Sequence, residues 1–266
     1  MSATSQRPNF DPAICFARQV LYRFTSLSLL DPRAGSWQQL DALRGDELLI
    51  DAAAVIRQDP AAVANPLGRG ERPLTDLDPQ AVLAELPTAA DELNRQYEAT
   101  FGLLVSGACP PYETEYINGK FAVQRSQTMG DVSGFYRAFG LEPSSRHPER
   151  HDHVVLELEF MAFLLGMERQ ATEQDGAMHD RAVVCREAQE RFFREHLAWW
   201  TPAFAHLLSK EARDDFYGHV ARFLAALITS ERARFRLPAA QASPQPSRLE
   251  RPEECEGCVL ASSSLP

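Results

Sequence analysis

The chain has 266 residues, 44% hydrophobic and 24% charged, enough to bury a full core and unlike a disordered composition. Its formal net charge is -10 and Lys120 and Lys210 are its only lysines, which argues against general nucleic-acid binding. The acidic balance suits a basic partner, although solubility alone also accounts for it.

No apolar run approaches the ~20 residues that a membrane span needs. Five cysteines scattered along the chain do not form a disulfide framework. The opening MSATSQRPNFDPAICFARQV lacks a basic start followed by an apolar core, so no signal peptide is expected. The expected location is cytoplasmic.

Asn9 or Asp11 followed by Pro12 is a helix start, and Ile14, Val20, Leu21, Phe24, Leu27 and Leu30 give the first helix an apolar face. Asp31-Pro32 ends it. A second helix is expected over residues 36–57, with Gly45 weakening its continuity. Residues 60–87 carry Pro60, Pro66, Pro73, Pro79 and Pro87 and read as a linker or irregular loop, with a short helix near 80–86. A third helix spans about 89–101. The run Cys109-Pro110-Pro111-Tyr112-Glu113-Thr114-Glu115-Tyr116 is too proline-rich at its start to be helical.

Residues 130–165 organise the rest. Val132, Phe135, Tyr136 and Phe139 recur at helical spacing, and Gly130 and Gly134 would let a neighbouring helix approach closely. Gly140 and Pro143 stop this helix. The next begins near Asp152, read as its N-cap, and is apolar on nearly every side from Val154 to Leu165, the pattern of a buried central helix. Glu157 and Glu159 lie inside that pattern, and a buried carboxylate is costly without a partner.

A further amphipathic helix covers about 177–197, and Trp199-Trp200-Thr201-Pro202 is expected to break it. A short helix over 203–208 and a long one over 212–235 come next. No strand-type alternation persists anywhere, so the class is all-α. The expected organisation is one helical-bundle domain over 1–237 and a flexible, disordered tail over 238–266.

The densest polar cluster is the hinge His147-Pro148-Glu149-Arg150-His151-Asp152-His153, followed by Glu157. His153 and Glu157 stand four apart, a spacing found among metal ligands, but no HExxH is present. A metal-dependent helical enzyme would use His147, His151, His153 and Glu157. A His153–Asp152 acid–base dyad conflicts with helix geometry, because adjacent residues do not face each other. The remaining alternatives are a helix cap with a His153–Glu157 pair and a patch that grips an arginine-bearing peptide. Cys255-Glu256-Gly257-Cys258 is a lone CxxC, a weak metal candidate without the second pair that zinc ribbons need. Neither GxGxxG nor GxxxxGK[ST] occurs.

Taken as a set, CPPYETEY, MGDVSGFYRAFGLE and ERHDHVVLELEFMAFLL resemble the TorD/DmsD family of cytoplasmic chaperones for molybdenum oxidoreductases. The resemblance covers roughly residues 109–167. It departs at the hinge, where His151 stands in place of the proline the family often has before Asp-His. It implies an all-helical, non-catalytic protein with no stably bound cofactor. Its partner would be the catalytic subunit of a molybdopterin-dependent enzyme, retained until the cofactor is inserted. It further implies that Glu149, Asp152 and His153 bind that partner's twin-arginine signal peptide. Glu157 could pair with an arginine as well, and Tyr112, Glu113 and Tyr116 join these residues from the other matching loop. The family is also associated with helix-exchanged oligomers, so a monomer and an exchanged homodimer both remain open. A helical scaffold that binds another protein through its long last helix is the other alternative.

Overall fold

The computed structural model describes residues 10–102, 109–117, 122–142, 144, 149–173, 179–239 and 244–246. Every regular element among them is helical, and the one β-type feature is an isolated bridge between Tyr112 and His153.

Helix α1 (Pro12–Leu29) begins where Asp11 accepts hydrogen bonds from the Ala13 and Ile14 N–H groups, with Pro12 at the first helical position. The expected second helix is two, α2 (Ser36–Ala42) and α3 (Glu47–Gln58). Gly45 sits between them at φ +73°, a left-handed conformation that a helix cannot contain. Asp46 then caps α3 by accepting from the Leu49 N–H at 2.8 Å.

The proline-rich stretch is not a loose linker. Ala62, Leu77, Val82, Leu83 and Leu86 are buried, and a short helix α4 (Pro79–Ala84) forms. Within this stretch Glu71 pairs with Arg232, whose Nη2 also donates to the Pro66 carbonyl at 3.1 Å. Gly70 passes so close to Pro202 that a Cβ there would lie 2.5 Å from the proline carbonyl oxygen.

Helix α5 (Ala90–Phe101) and helix α6 (Ala122–Ala138) come next in the chain. Gly130 and Gly134 have nothing within 4 Å of a built Cβ, so no helix among the described residues uses them for close approach. The buried face of α6 is instead Val132 and Tyr136.

Helix α7 (Val154–Glu173) is the expected buried helix and packs on α1 and on α8 (His179–Phe192). A π turn at Phe193–Leu197 leads into α9 (Ala198–Ala212). The break expected at Pro202 does not occur, because α9 continues through it. An interior proline costs about 3 kcal/mol; complete burial of Trp200 and Phe204 on either side offsets it.

Helix α10 (Phe216–Arg234) is a second buried helix. Its Glu231 accepts from Arg18 Nε at 2.7 Å and Nη2 at 2.6 Å, and from the Tyr22 hydroxyl at 3.1 Å. Arg18 also donates to Gln189, which in turn donates to Glu168. This buried chain of polar contacts joins α1, α7, α8 and α10. No helix among the described residues is long and apolar enough to cross a membrane.

Candidate functional site

The site is built where two irregular segments clasp each other. The bridge between Tyr112 and His153 is framed by two backbone bonds of 2.9 Å, Glu113 N–H to the Asp152 carbonyl and Val154 N–H to the Pro111 carbonyl. Pro110 and Pro111 hold the first segment extended, ready to pair.

Asp152 fastens the clasp. It is fully buried, and its Oδ2 accepts from the Thr114 N–H at 3.0 Å and the Thr114 hydroxyl at 2.7 Å. Arg150 donates to both of its oxygens, at 3.0 and 2.8 Å, and lays its guanidinium 4.2 Å from the centre of the Tyr112 ring. Asp152 is therefore not the N-cap of α7. His153 caps instead, its Nδ1 accepting from the Val155 N–H at 3.2 Å. Burial drives the pKa of the His153 imidazole down to about 4, which keeps it in the neutral form that this acceptor role requires.

Behind the clasp lie Glu113 and Glu157. Glu113 accepts from the Trp199 indole at 2.8 Å and lies 3.1 Å from His196 Nδ1. Burial pushes the pKa of its carboxyl up, against the stabilising contacts of His196 and Trp199. Glu157 is completely buried, accepts from the Trp200 indole at 3.2 Å, and has no partner for its second oxygen among the described residues. Burial, with Glu113 and Asp152 nearby, holds its carboxyl well above the ordinary range. The expected His153–Glu157 pair does not form.

In front of the clasp opens a groove of about 930 Å³. Its floor is the outer face of α7, with Val155, Leu156, Phe160 and Phe163. Leu30 from the end of α1, Tyr97 from α5 and Tyr136 from α6 complete an apolar wall, and Tyr136 is fixed by its bond to the His151 carbonyl at 2.9 Å. Carboxylates edge it. Asp31 is already taken by Arg33 at 2.7 Å, whereas Glu142, Glu149 and Glu159 have no ion pair among the described residues. Glu149 accepts from the Arg150 backbone N–H at 2.8 Å, and Glu159 from the Ser26 hydroxyl at 3.2 Å.

The structure thus separates the residues singled out from sequence. Glu149 and His153 line the groove, and Tyr112 stands half-buried beside them under Arg150. Asp152, Glu113, Tyr116 and Glu157 are buried and do not line this groove, and Glu113 and Tyr116 instead line a separate cavity of about 660 Å³ with His196 and Trp199. Arg150, Glu142, Tyr97 and Phe163 also build the site, although the sequence assigns them no role in it. Arg150 was visible in the hinge, two residues from Asp152, whereas Tyr97 and Phe163 carry only the helical spacing of ordinary core residues.

Among the described residues no three His, Cys, Asp or Glu side chains stand together as metal ligands. His147, Cys255, Cys258 and the sequence from 247 onward lie outside the described residues.

Residues 70–206 match the family model described as nitrate reductase delta subunit. A selenate reductase assembly chaperone protein of Thauera selenatis is 34% identical over 110 residues, covering 41% of this chain and 54% of the relative. A chaperone protein TorD of Aliivibrio salmonicida is 26% identical over 149 residues, 55% of this chain and 66% of its own length. A perchlorate reductase assembly chaperone protein of Dechloromonas aromatica is 31% identical over 98 residues, 36% of this chain and 42% of the relative. The chain therefore spans between about two fifths and two thirds of the length of these relatives.

Proposed function

This chain belongs to the TorD-like chaperone family described as nitrate reductase delta subunit, and on that footing we propose that it is a maturation chaperone for a molybdenum oxidoreductase. Its client is the molybdopterin-dependent catalytic subunit, and its groove holds that subunit's twin-arginine signal peptide. The complex keeps the client in the cytoplasm until its cofactor is inserted. The chaperone itself performs no chemistry and needs no cofactor of its own.

The observation that carries this reading is the pairing of Glu142 and Glu149, without cation partners among the described residues, with the apolar floor of α7. A guanidinium suits a carboxylate better than an ammonium does, because its fork donates two parallel hydrogen bonds. Apolar side chains following the arginines find Leu156, Phe160 and Phe163. His153, neutral and buried, adds no charge that would repel a basic peptide.

Calorimetry with two synthetic leaders tests it, one from a molybdenum enzyme encoded beside this gene and one with both arginines changed to lysine. The expected result is micromolar or tighter binding that weakens about tenfold with the lysine peptide, as loss of a charge-assisted bond implies. Absence of binding to both peptides would remove the proposal.

A further inference from the structure

The groove holds one arginine of its own. Among the described residues that line it, Arg33 is the only side chain with a positive charge, since His153 is neutral. It lies in the short turn Pro32–Ala34 that follows α1, and it folds back on Asp31. Its Nε donates to Asp31 Oδ1 at 3.0 Å and its Nη2 to Oδ2 at 2.7 Å, the two-pronged grip that a guanidinium makes on a carboxylate. A second carboxylate is within reach. Arg33 Nη1 is 3.8 Å from Oε1 of Glu98 on α5, and Glu98 does not line the groove.

Three features make the Arg33–Asp31 contact exchangeable. Both side chains are partly exposed, 50% for Arg33 and 35% for Asp31, and an ion pair in that setting is weak. The turn does not depend on the guanidinium, because Asp31 also accepts from the Arg33 backbone N–H at 2.9 Å. Glu98 can take the guanidinium that Asp31 releases. Asp31 is also placed to act with the unpaired carboxylates of the groove. Burial raises the pKa of the Tyr97 hydroxyl, and Asp31 and Glu149 both add to that rise, so the two carboxylates act on one hydroxyl in the groove wall.

We propose that Arg33 is a resident stand-in for one arginine of the client's pair, and that the pair displaces it from Asp31 onto Glu98. This rests on the reading of the groove as a leader site. One guanidinium of the leader meets Glu142 and Glu149, and the other replaces Arg33 on Asp31 with the same two-pronged bond. The exchange conserves the number of ion pairs, so a guanidinium makes it at little cost. An ammonium cannot reproduce the fork and leaves Arg33 where it is. Arg33 thereby makes the groove select a second arginine rather than a second positive charge.

The test is calorimetry of the unaltered protein, Arg33→Gln, Glu98→Gln and the double variant against a twin-arginine leader and its two single-arginine forms, with lysine in the other place. Both positions are exposed, and substitutions there leave the fold intact. E98Q is expected to weaken the twin-arginine leader about two- to fivefold, the range of an exposed ion pair, although Glu98 does not line the groove. In the R33Q background the same change is expected to have no effect. R33Q alone is expected to tighten the twin-arginine leader by a similar factor, and E98Q to leave the single-arginine leaders unchanged.

Equal weakening by E98Q with and without Arg33 would make Glu98 a distant charge, which overturns the exchange and leaves the leader site standing. Weaker binding by R33Q overturns the stand-in role, since Arg33 would then support the site rather than fill it. Failure of the unaltered protein to bind any leader removes the function itself, and this inference with it.

Discussion

Arg150 closes over Asp152 from the solvent side, with its Nη2 2.8 Å from Oδ2 and its Nε 3.0 Å from Oδ1. The carboxylate that the hinge motif presents most conspicuously is therefore a structural tie between two segments. In the leader site that we propose, the arginine-gripping role falls to Glu142 and Glu149, which stand without a cation partner among the described residues.

Replacing Asp152 by alanine should accordingly cost stability before it costs binding. Removal leaves the Thr114 N–H and hydroxyl and the Arg150 guanidinium without their acceptor. A loss of about 2–3 kcal/mol is expected, below the cost of breaking a wholly buried pair because Arg150 is partly exposed. Urea denaturation should show a lowered midpoint for D152A and an unchanged one for E149Q.

His153 makes the fold sensitive to acid. Its folded pKa, about 4, lies below the ordinary value of 6.5, so the unfolded chain takes up a proton first as pH falls. Stability contributed by neutral His153 is complete above 6.5 and drains away between 6.5 and 4, by at most about 3 kcal/mol. H153N keeps a good capping side chain without the titration. The stability difference between wild type and H153N should shift towards H153N across that window, measured by denaturation at about pH 7, 5.5 and 4.5. A pH-independent difference would mean that the imidazole titrates normally.

Glu157 acts in the opposite sense. Its folded pKa is raised well above the ordinary 4.5, so above that value the unfolded chain releases a proton that the folded chain retains, and stability falls as pH rises. E157Q should remove that penalty, gaining about 1 kcal/mol near pH 8 and nothing at about pH 4. Melting temperatures at the two pH values provide the comparison. A destabilised E157Q at the higher pH would show that the ionised carboxylate is needed.

Arg232 and Glu71 hold residues 60–87 against α10. Both are buried, so R232A leaves an uncompensated charge and should cost about 3–5 kcal/mol. Local release of the segment should precede global unfolding, visible as faster proteolytic cleavage between Pro60 and Pro79 under native conditions. Cleavage elsewhere first would place the weak point outside this contact.

Local features of the fold were legible in the order of the amino acids. Apolar residues at helical spacing, Asp11-Pro12 at a helix start and Gly45 between two helices are set by backbone sterics and nearest-neighbour hydrogen bonds. The all-helical class, the buried character of α7 and the concentration of polar chemistry at the hinge come from them. Pro202 shows the limit: its local rule demands a break, and burial of Trp200 and Phe204 overrides it.

Which carboxylates face the groove was settled instead by packing across the chain. Glu157 finds its indole donor 43 residues away and Glu113 finds its own 86 residues away, separations over which no local pattern carries information. No cation among the described residues folds back to Glu149 or Glu142, although their sequence neighbourhood is as polar as that of Asp152. A charge's role depends on desolvation and on its partners, and both are fixed by contacts between helices rather than within them.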